Sequence, residues 1–272
     1  MMDFIIAIRN KNSFVRGSIN PYGLRKYFTI LFLTALCYLL ASPLYCQWLE
    51  TTIYIPDSLS GVVWPQAFTY NVTNNKIYVG GEHGDCVIVI DGETNQKIAK
   101  IPAGGRIYAL CWNSTNNKVY SANIDSNNVI VIDGATNQVI TTIPAGSRPR
   151  ALVYNTTDNK VYCANQASDS VTVIDGATNQ MIVNISAGDS PYALIYNPTN
   201  NKVYCANIYS NDVTVIDGAT NSVITTIMVG DGPCDLTYNL TNNKVYSANS
   251  GSDNITVIDG ATNQIITTIS VV

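Results

Sequence analysis

The stretch KVYCANQASDSVTVIDGATNQ, residues 160–180, decides the fold. It opens with alternating residues, Val161 and Cys163 on one face and Tyr162 and Ala164 on the other, the period of a strand. A polar loop, Gln166–Asp169, breaks it. A run rich in β-branched residues, Val171–Ile174, follows and reads as a second strand. Asp175-Gly176-Ala177-Thr178-Asn179 then makes a turn in which Asp can accept backbone hydrogen bonds and Gly tolerates unusual backbone angles.

Working outward, the same pattern recurs at a fixed step. VIDG carries Asp91, Asp133, Asp175, Asp217 and Asp259, each 42 residues after the last. Lys76, Lys118, Lys160, Lys202 and Lys244 keep that step, as do Tyr78, Tyr120, Tyr162, Tyr204 and Tyr246. Within one copy, Ala151–Tyr154 is a strand A, Lys160–Asn165 strand B, Val171–Ile174 strand C and Met181–Ile185 strand D. Short strands at this spacing, with no helical period, predict an all-β fold. A four-strand unit of 42 residues is too long for a β-helix coil, too short for a sandwich and the size of a propeller blade. The expected architecture is a β-propeller of four-stranded antiparallel blades, at about 65–101, 107–143, 149–185, 191–227 and 233–269, within a domain spanning 47–272.

The repeats resemble the YVTN β-propeller family of bacterial and archaeal surface or periplasmic proteins. The stretches that carry the resemblance are Tyr120–Asn123, Tyr162–Asn165, Tyr204–Asn207 and Tyr246–Asn249; the first copy departs, with Tyr78-Val79-Gly80-Gly81. The resemblance covers residues 60–272 and implies a propeller, usually outside the cytoplasm, with no single activity attached. Relatives of this kind more often form rings of about seven blades.

The chain ends bear on ring closure. Thr51–Ile55 reads as an extra strand D, yet the last copy has its own, Ile265–Ile269. One strand is then surplus in a five-bladed ring. This favours a product with further blades to follow, over a five-bladed ring or an open arc closed by a partner.

Ahead of the repeats, Arg9, Lys11, Arg16, Arg25 and Lys26 precede an apolar run from Tyr27 to Leu40. Residues 1–46 are expected to be a secretory signal, or alternatively an uncleaved anchor, since the run is short for a membrane span. Bulky Tyr45 argues against lipoprotein processing at Cys46. The protein is therefore expected to be exported: periplasmic, cell-surface or extracellular. Charged residues are only 12% of the chain and the net charge is −4, which excludes the basic footprint of duplex binding. Of the seven cysteines none forms a CxxC. Cys163 and Cys205 alternate with Ser121 and Ser247, which suggests small side chains in a tight position.

Catalytic chemistry has few candidates. His83 is the only histidine, so any Ser–His–Asp or Cys–His arrangement must use it. Glu82, His83 and Asp85 are weak candidates for a metal, and no cofactor is implied. The repeated Asp91, Asp133, Asp175, Asp217 and Asp259 read as turn residues. The Asn-x-Thr/Ser matches at Asn71, Asn113, Asn155, Asn184, Asn239 and Asn254 are read as turn chemistry too. A scaffold position makes the same demand in every copy, so positions that break the repeat are the ones to inspect. They lie before strand A and between strands B and C: Trp64, Arg106, Tyr108, Arg148, Arg150, Tyr192 and Tyr209, expected to ring the mouth of a central channel. Aromatics and arginines anchor partners. The expectation is a non-enzymatic binding module with a protein or cell-envelope glycan partner. The alternatives are a structural envelope module and a lactonase- or dehydrogenase-like propeller.

Overall fold

The computed structural model describes residues 61–272. The signal or anchor read at 1–46 and the extra strand at 51–55 lie outside the described residues. The rest folds into five four-stranded sheets, each an antiparallel meander in chain order. The first blade comprises β1 (Val63–Asn71), β2 (Lys76–His83), β3 (Cys86–Asp91) and β4 (Lys97–Pro102). The second comprises β5 (Ile107–Asn113), β6 (Lys118–Asn123), β7 (Asn128–Asp133) and β8 (Val139–Pro144). The third comprises β9 (Pro149–Asn155), β10 (Lys160–Asn165), β11 (Ser170–Asp175) and β12 (Met181–Ser186). The fourth comprises β13 (Pro191–Asn197), β14 (Lys202–Asn207), β15 (Asp212–Asp217) and β16 (Val223–Met228). The fifth comprises β17 (Pro233–Asn239), β18 (Lys244–Asn249), β19 (Asn254–Asp259) and β20 (Ile265–Ser270). These are the blades of a β-propeller.

Pairing stays inside each copy. In the third blade Tyr162 lies opposite Val153 on one side and Val173 on the other. The tight turns are set by asparagine, which enters the left-handed region more readily than other side-chain residues. Asn117, Asn159, Asn201 and Asn243 do so between the first two strands of their blades, with φ of 50–52°. The VIDG turns behave as read: Asp175 Oδ1 accepts from the backbone N–H groups of Ala177 and Thr178, both at 2.8 Å. These donors hold Asp133, Asp175 and Asp217 below the ordinary carboxylate range, the threonine N–H contributing most. Asn113 and Asn155 use their side-chain oxygens in the same way, on Thr115 N and Thr157 N at 2.9 Å.

The core lies between blades, because each sheet is apolar on both faces. Between the third and fourth blades, Tyr162, Ala164, Val171, Val173 and Ile185 meet Val203, Cys205, Ile216 and Tyr196. The same positions meet at the other three junctions. Polar hooks lock each junction. Tyr162 Oη donates to Asn221 Oδ1 at 2.9 Å, and Lys160 Nζ to Gly218 O at 2.7 Å and Ala219 O at 3.0 Å. The identical set joins Lys76 and Tyr78 to Asn137, Lys118 and Tyr120 to Asn179, and Lys202 and Tyr204 to Asn263. Burial pushes the Tyr78 and Tyr204 phenols up to about 12.

Cys163 and Cys205 are fully buried, each with Sγ toward the side-chain oxygen two residues on, at 3.7 and 3.4 Å. Ser121 and Ser247 donate to the matching oxygen at 3.0 and 2.9 Å, which explains the interchange. Desolvation raises both thiols. The inner strands pack in the series β1, β5, β9, β13, β17, and among the described residues β17 has no comparable packing on β1.

Candidate functional site

The first strand of each blade faces the axis, so equivalent residues from successive copies come to lie side by side. Three rows result. The outermost holds Gln66, Tyr108, Arg150, Tyr192 and Cys234; the next holds Ala67, Ala109, Ala151, Ala193 and Asp235; the third is formed by Phe68, Leu110, Leu152 and Leu194. Together they line a cavity of about 430 Å³ to which all five inner strands contribute. The alanines leave room for it, and the third row gives it an apolar floor.

Arg150 dominates the outer row. Its guanidinium carbon lies 3.7 Å from the centre of the Tyr192 ring and 4.9 Å from that of Tyr108. A guanidinium is attracted to the negative face of an aromatic ring. The repeat places a tyrosine 42 residues before and after it, so the cation is held between two such faces. Its Nη2 also donates to the Tyr192 hydroxyl. A guanidinium has five N–H donors, and no carboxylate neutralises this one: among the described residues the single ion pair is Arg106–Asp125. The mouth thus carries a fixed cation with donors to spare. Asp235 supplies an anion in the second row, where its carboxylate accepts from Leu236 N at 2.8 Å.

The other residues singled out in the sequence are placed differently. Arg106 bridges to Asp125 with Nη2–Oδ1 at 2.7 Å, and its own backbone N–H reaches Oδ2 at 3.1 Å. The Arg106 donors hold the Asp125 carboxyl below its usual range, and the carboxylate raises Arg106 in return. This pair fastens the loop before β5 to the loop after β6. Trp64 packs at a tilt against His83 across the equivalent loops of the first blade, with ring centres 5.3 Å apart and the planes 50° from parallel. Arg148 and Trp64 occupy the left-handed region, φ 56° and 54°, at the loop position where the fifth blade has Gly232. Tyr209 is 71% exposed on a loop and lies outside the cavity wall. Of the expected ring, the structure brings Tyr108, Arg150 and Tyr192 together at the cavity; Trp64, Arg106 and Arg148 belong to loop bracing.

Glu82 accepts from Gln66 Nε2 at 3.1 Å, His83 meets Trp64, and the Asp85 carbonyl accepts from Ala103 N at 2.8 Å. Among the described residues no three His, Cys, Asp or Glu side chains group so as to hold a metal. Asp235 and Gln66 were missed in the sequence. Asp235 breaks a position that is alanine in the other four copies, so the rule of inspecting repeat-breaking positions would have found it.

No family model and no curated protein matches this sequence. The fold is similar to that of a solved structure, Kuenenia stuttgartiensis hydrazine synthase. The TM-score is 0.66 at 17% identity, over 80% of this chain and 68% of that one. At that identity the likeness is one of fold.

Proposed function

We propose that this chain is an exported, non-enzymatic β-propeller of the YVTN type that binds a partner at the mouth of its channel. The partner presents a carboxylate there, from a protein or a cell-envelope glycan. The observation that carries this reading is Arg150, unneutralised and held between Tyr108 and Tyr192 in the wall of the cavity. Fixing a long, charged side chain in the free protein removes part of the ordering cost of binding. Planar guanidinium donors match a carboxylate two-pronged. The flanking tyrosines offer flat surfaces of the kind sugars and peptides stack on.

The test compares the full chain with its Arg150→Gln variant in pull-downs of two probes, purified envelope glycan and a pool of acidic peptides. Retention of either probe by the wild type, with a loss of more than about tenfold in the variant, supports the reading. Equal retention of both probes by the two proteins, with circular dichroism unchanged, refutes it.

A further inference from the structure

We infer that Asn184, on the outermost strand of the third blade, is an acceptor for an N-linked glycan. Among the described residues six asparagines stand in Asn-x-Ser or Asn-x-Thr, the pattern such a transfer requires: Asn71, Asn113, Asn155, Asn184, Asn239 and Asn254.

The fold sorts the six. Asn71, Asn113 and Asn155 end the first strands of their blades and are fully buried. Each spends its amide on the next blade, where Nδ2 donates to the side-chain oxygen of Asn117, Asn159 and Asn201 at 2.8, 2.7 and 2.9 Å. A glycan on that nitrogen would break the bond and wedge the blades apart. Asn239 ends the first strand of its blade in the same way, and its Oδ1 accepts from Thr241 N at 3.0 Å. Asn254 accepts from Asn249 Nδ2 at 2.8 Å, and Thr256, whose hydroxyl its pattern needs, is buried.

Asn184 differs from all of these. Grouped with the turn residues in the sequence, it lies instead within β12, an edge strand paired only with β11. Asn184 and Ser186 are both exposed. Two residues apart on a strand, they face the same way, so a transferase can reach the amide and the hydroxyl together. The Thr172 hydroxyl donates to Asn184 Oδ1 at 2.6 Å, which orients the carboxamide and leaves Nδ2 without an acceptor among the described residues.

The position also breaks the repeat. Its equivalents are Lys100, Thr142, Thr226 and Thr268, so the acceptor is private to the third blade. The strand that carries it, Met181–Ser186, has no charged residue, and Met181 and Ile182 are exposed on it. Edge strands are blunted against pairing by charge, proline or cover. A bulky, hydrophilic glycan supplies such cover.

In the transfer, Asn184 Nδ2 forms a bond to the anomeric carbon of a glycan carried on a polyprenyl pyrophosphate. The bond from that carbon to the phosphate oxygen breaks, the amide gives one proton to a base of the transferase, and the lipid pyrophosphate leaves. In the cell this rests on the exported reading, because the chain has to meet the lipid-linked donor outside the cytoplasm.

The experiment works with purified protein and so is independent of export. The folded full chain is incubated with a single-subunit oligosaccharyltransferase that accepts both patterns and with a polyprenyl-pyrophosphate oligosaccharide. A proteolytic digest of the same chain is treated alike, and glycopeptides are mapped by mass spectrometry. The folded chain is expected to carry the glycan at Asn184, with Asn71, Asn113 and Asn155 becoming acceptors only in the digest. Asn184→Thr, which restores the residue of three other copies, and Ser186→Ala are each expected to abolish modification of the folded chain without moving its melting temperature. A folded chain left unmodified at Asn184 overturns the inference, whether or not the digest accepts the glycan there. So does a folded chain modified at any of the other five in preference to Asn184. Neither result touches the Arg150 reading, because Asn184 is not part of the cavity wall.

Discussion

Tyr204 and Tyr246 occupy the same position in adjacent copies, yet replacing each with phenylalanine should have different consequences. The Tyr204 hydroxyl lies 3.0 Å from Asn263 Oδ1 and 3.2 Å from Gly260 O, inside the junction between the fourth and fifth blades. It has one proton, so it makes one shared bond. Deleting it leaves no orphaned acceptor, because Lys202 Nζ donates to the same two atoms at 3.0 and 2.9 Å. The cost is therefore the net worth of one hydrogen bond, about 1 kcal/mol, without the larger penalty of an unsatisfied buried group. The Tyr246 hydroxyl has no partner among the described residues, so its loss should cost close to nothing. With a urea dependence of roughly 2–3 kcal/mol per molar, Tyr204→Phe should lower the unfolding midpoint by about 0.3–0.5 M. Tyr246→Phe should lower it by less than about 0.1 M under the same relation. The assay is urea denaturation followed by circular dichroism. Equal shifts for the two variants would refute the claim that junction hooks, rather than the tyrosine itself, stabilise the blade stack.

Two further predictions concern the repeated turn and the buried thiols. The carboxyls of Asp133, Asp175 and Asp217 are held below the ordinary value of 3.8, chiefly by the backbone N–H of the turn threonine. A depressed folded pKa means the unfolded chain binds protons first. The stabilisation is complete above 3.8 and is lost as pH falls through the depressed folded values. Thermal melts should therefore fall steeply just below that pH, and changing all three to Asn, which keeps the acceptor but not the charge, should flatten the fall; an unchanged slope would assign it to other groups. Cys163 and Cys205 are buried with raised pKa, so native protein should leave both unlabelled by a thiol reagent that modifies them after unfolding, as mapped by mass spectrometry. Cys163→Ser should keep the wild-type melting temperature within a few degrees, since Ser121 and Ser247 already serve at that position.

The legible part of this molecule was whatever repeats and acts locally. The 42-residue step fixed the blade, because a four-strand unit with two apolar faces has to stack on its neighbours. The VIDG aspartates were legible as turn residues because their partners lie two and three positions downstream. The invariant Lys and Tyr series was visible but mute: their acceptors sit 56–61 residues away in the next copy, a separation that reports nothing until the blades are placed. The site divided along the same line. Tyr108, Arg150 and Tyr192 are one repeat position in three consecutive copies, so their adjacency followed from the period once blades were assumed to stack. Arg106 and Tyr209 depend on loop geometry, which breaks the period and so escaped it. Internal symmetry also has a consequence at the ends. A residue kept in every copy does the same work only where a next copy exists to receive it. Tyr246 and Lys244 are chemically identical to Tyr204 and Lys202, and what separates them is that no described residue accepts their side-chain hydrogen bonds, whereas Gly260 and Asn263 accept those of Tyr204 and Lys202. Positions that break the repeat therefore point to ligands, and positions that keep it point to the joints between blades.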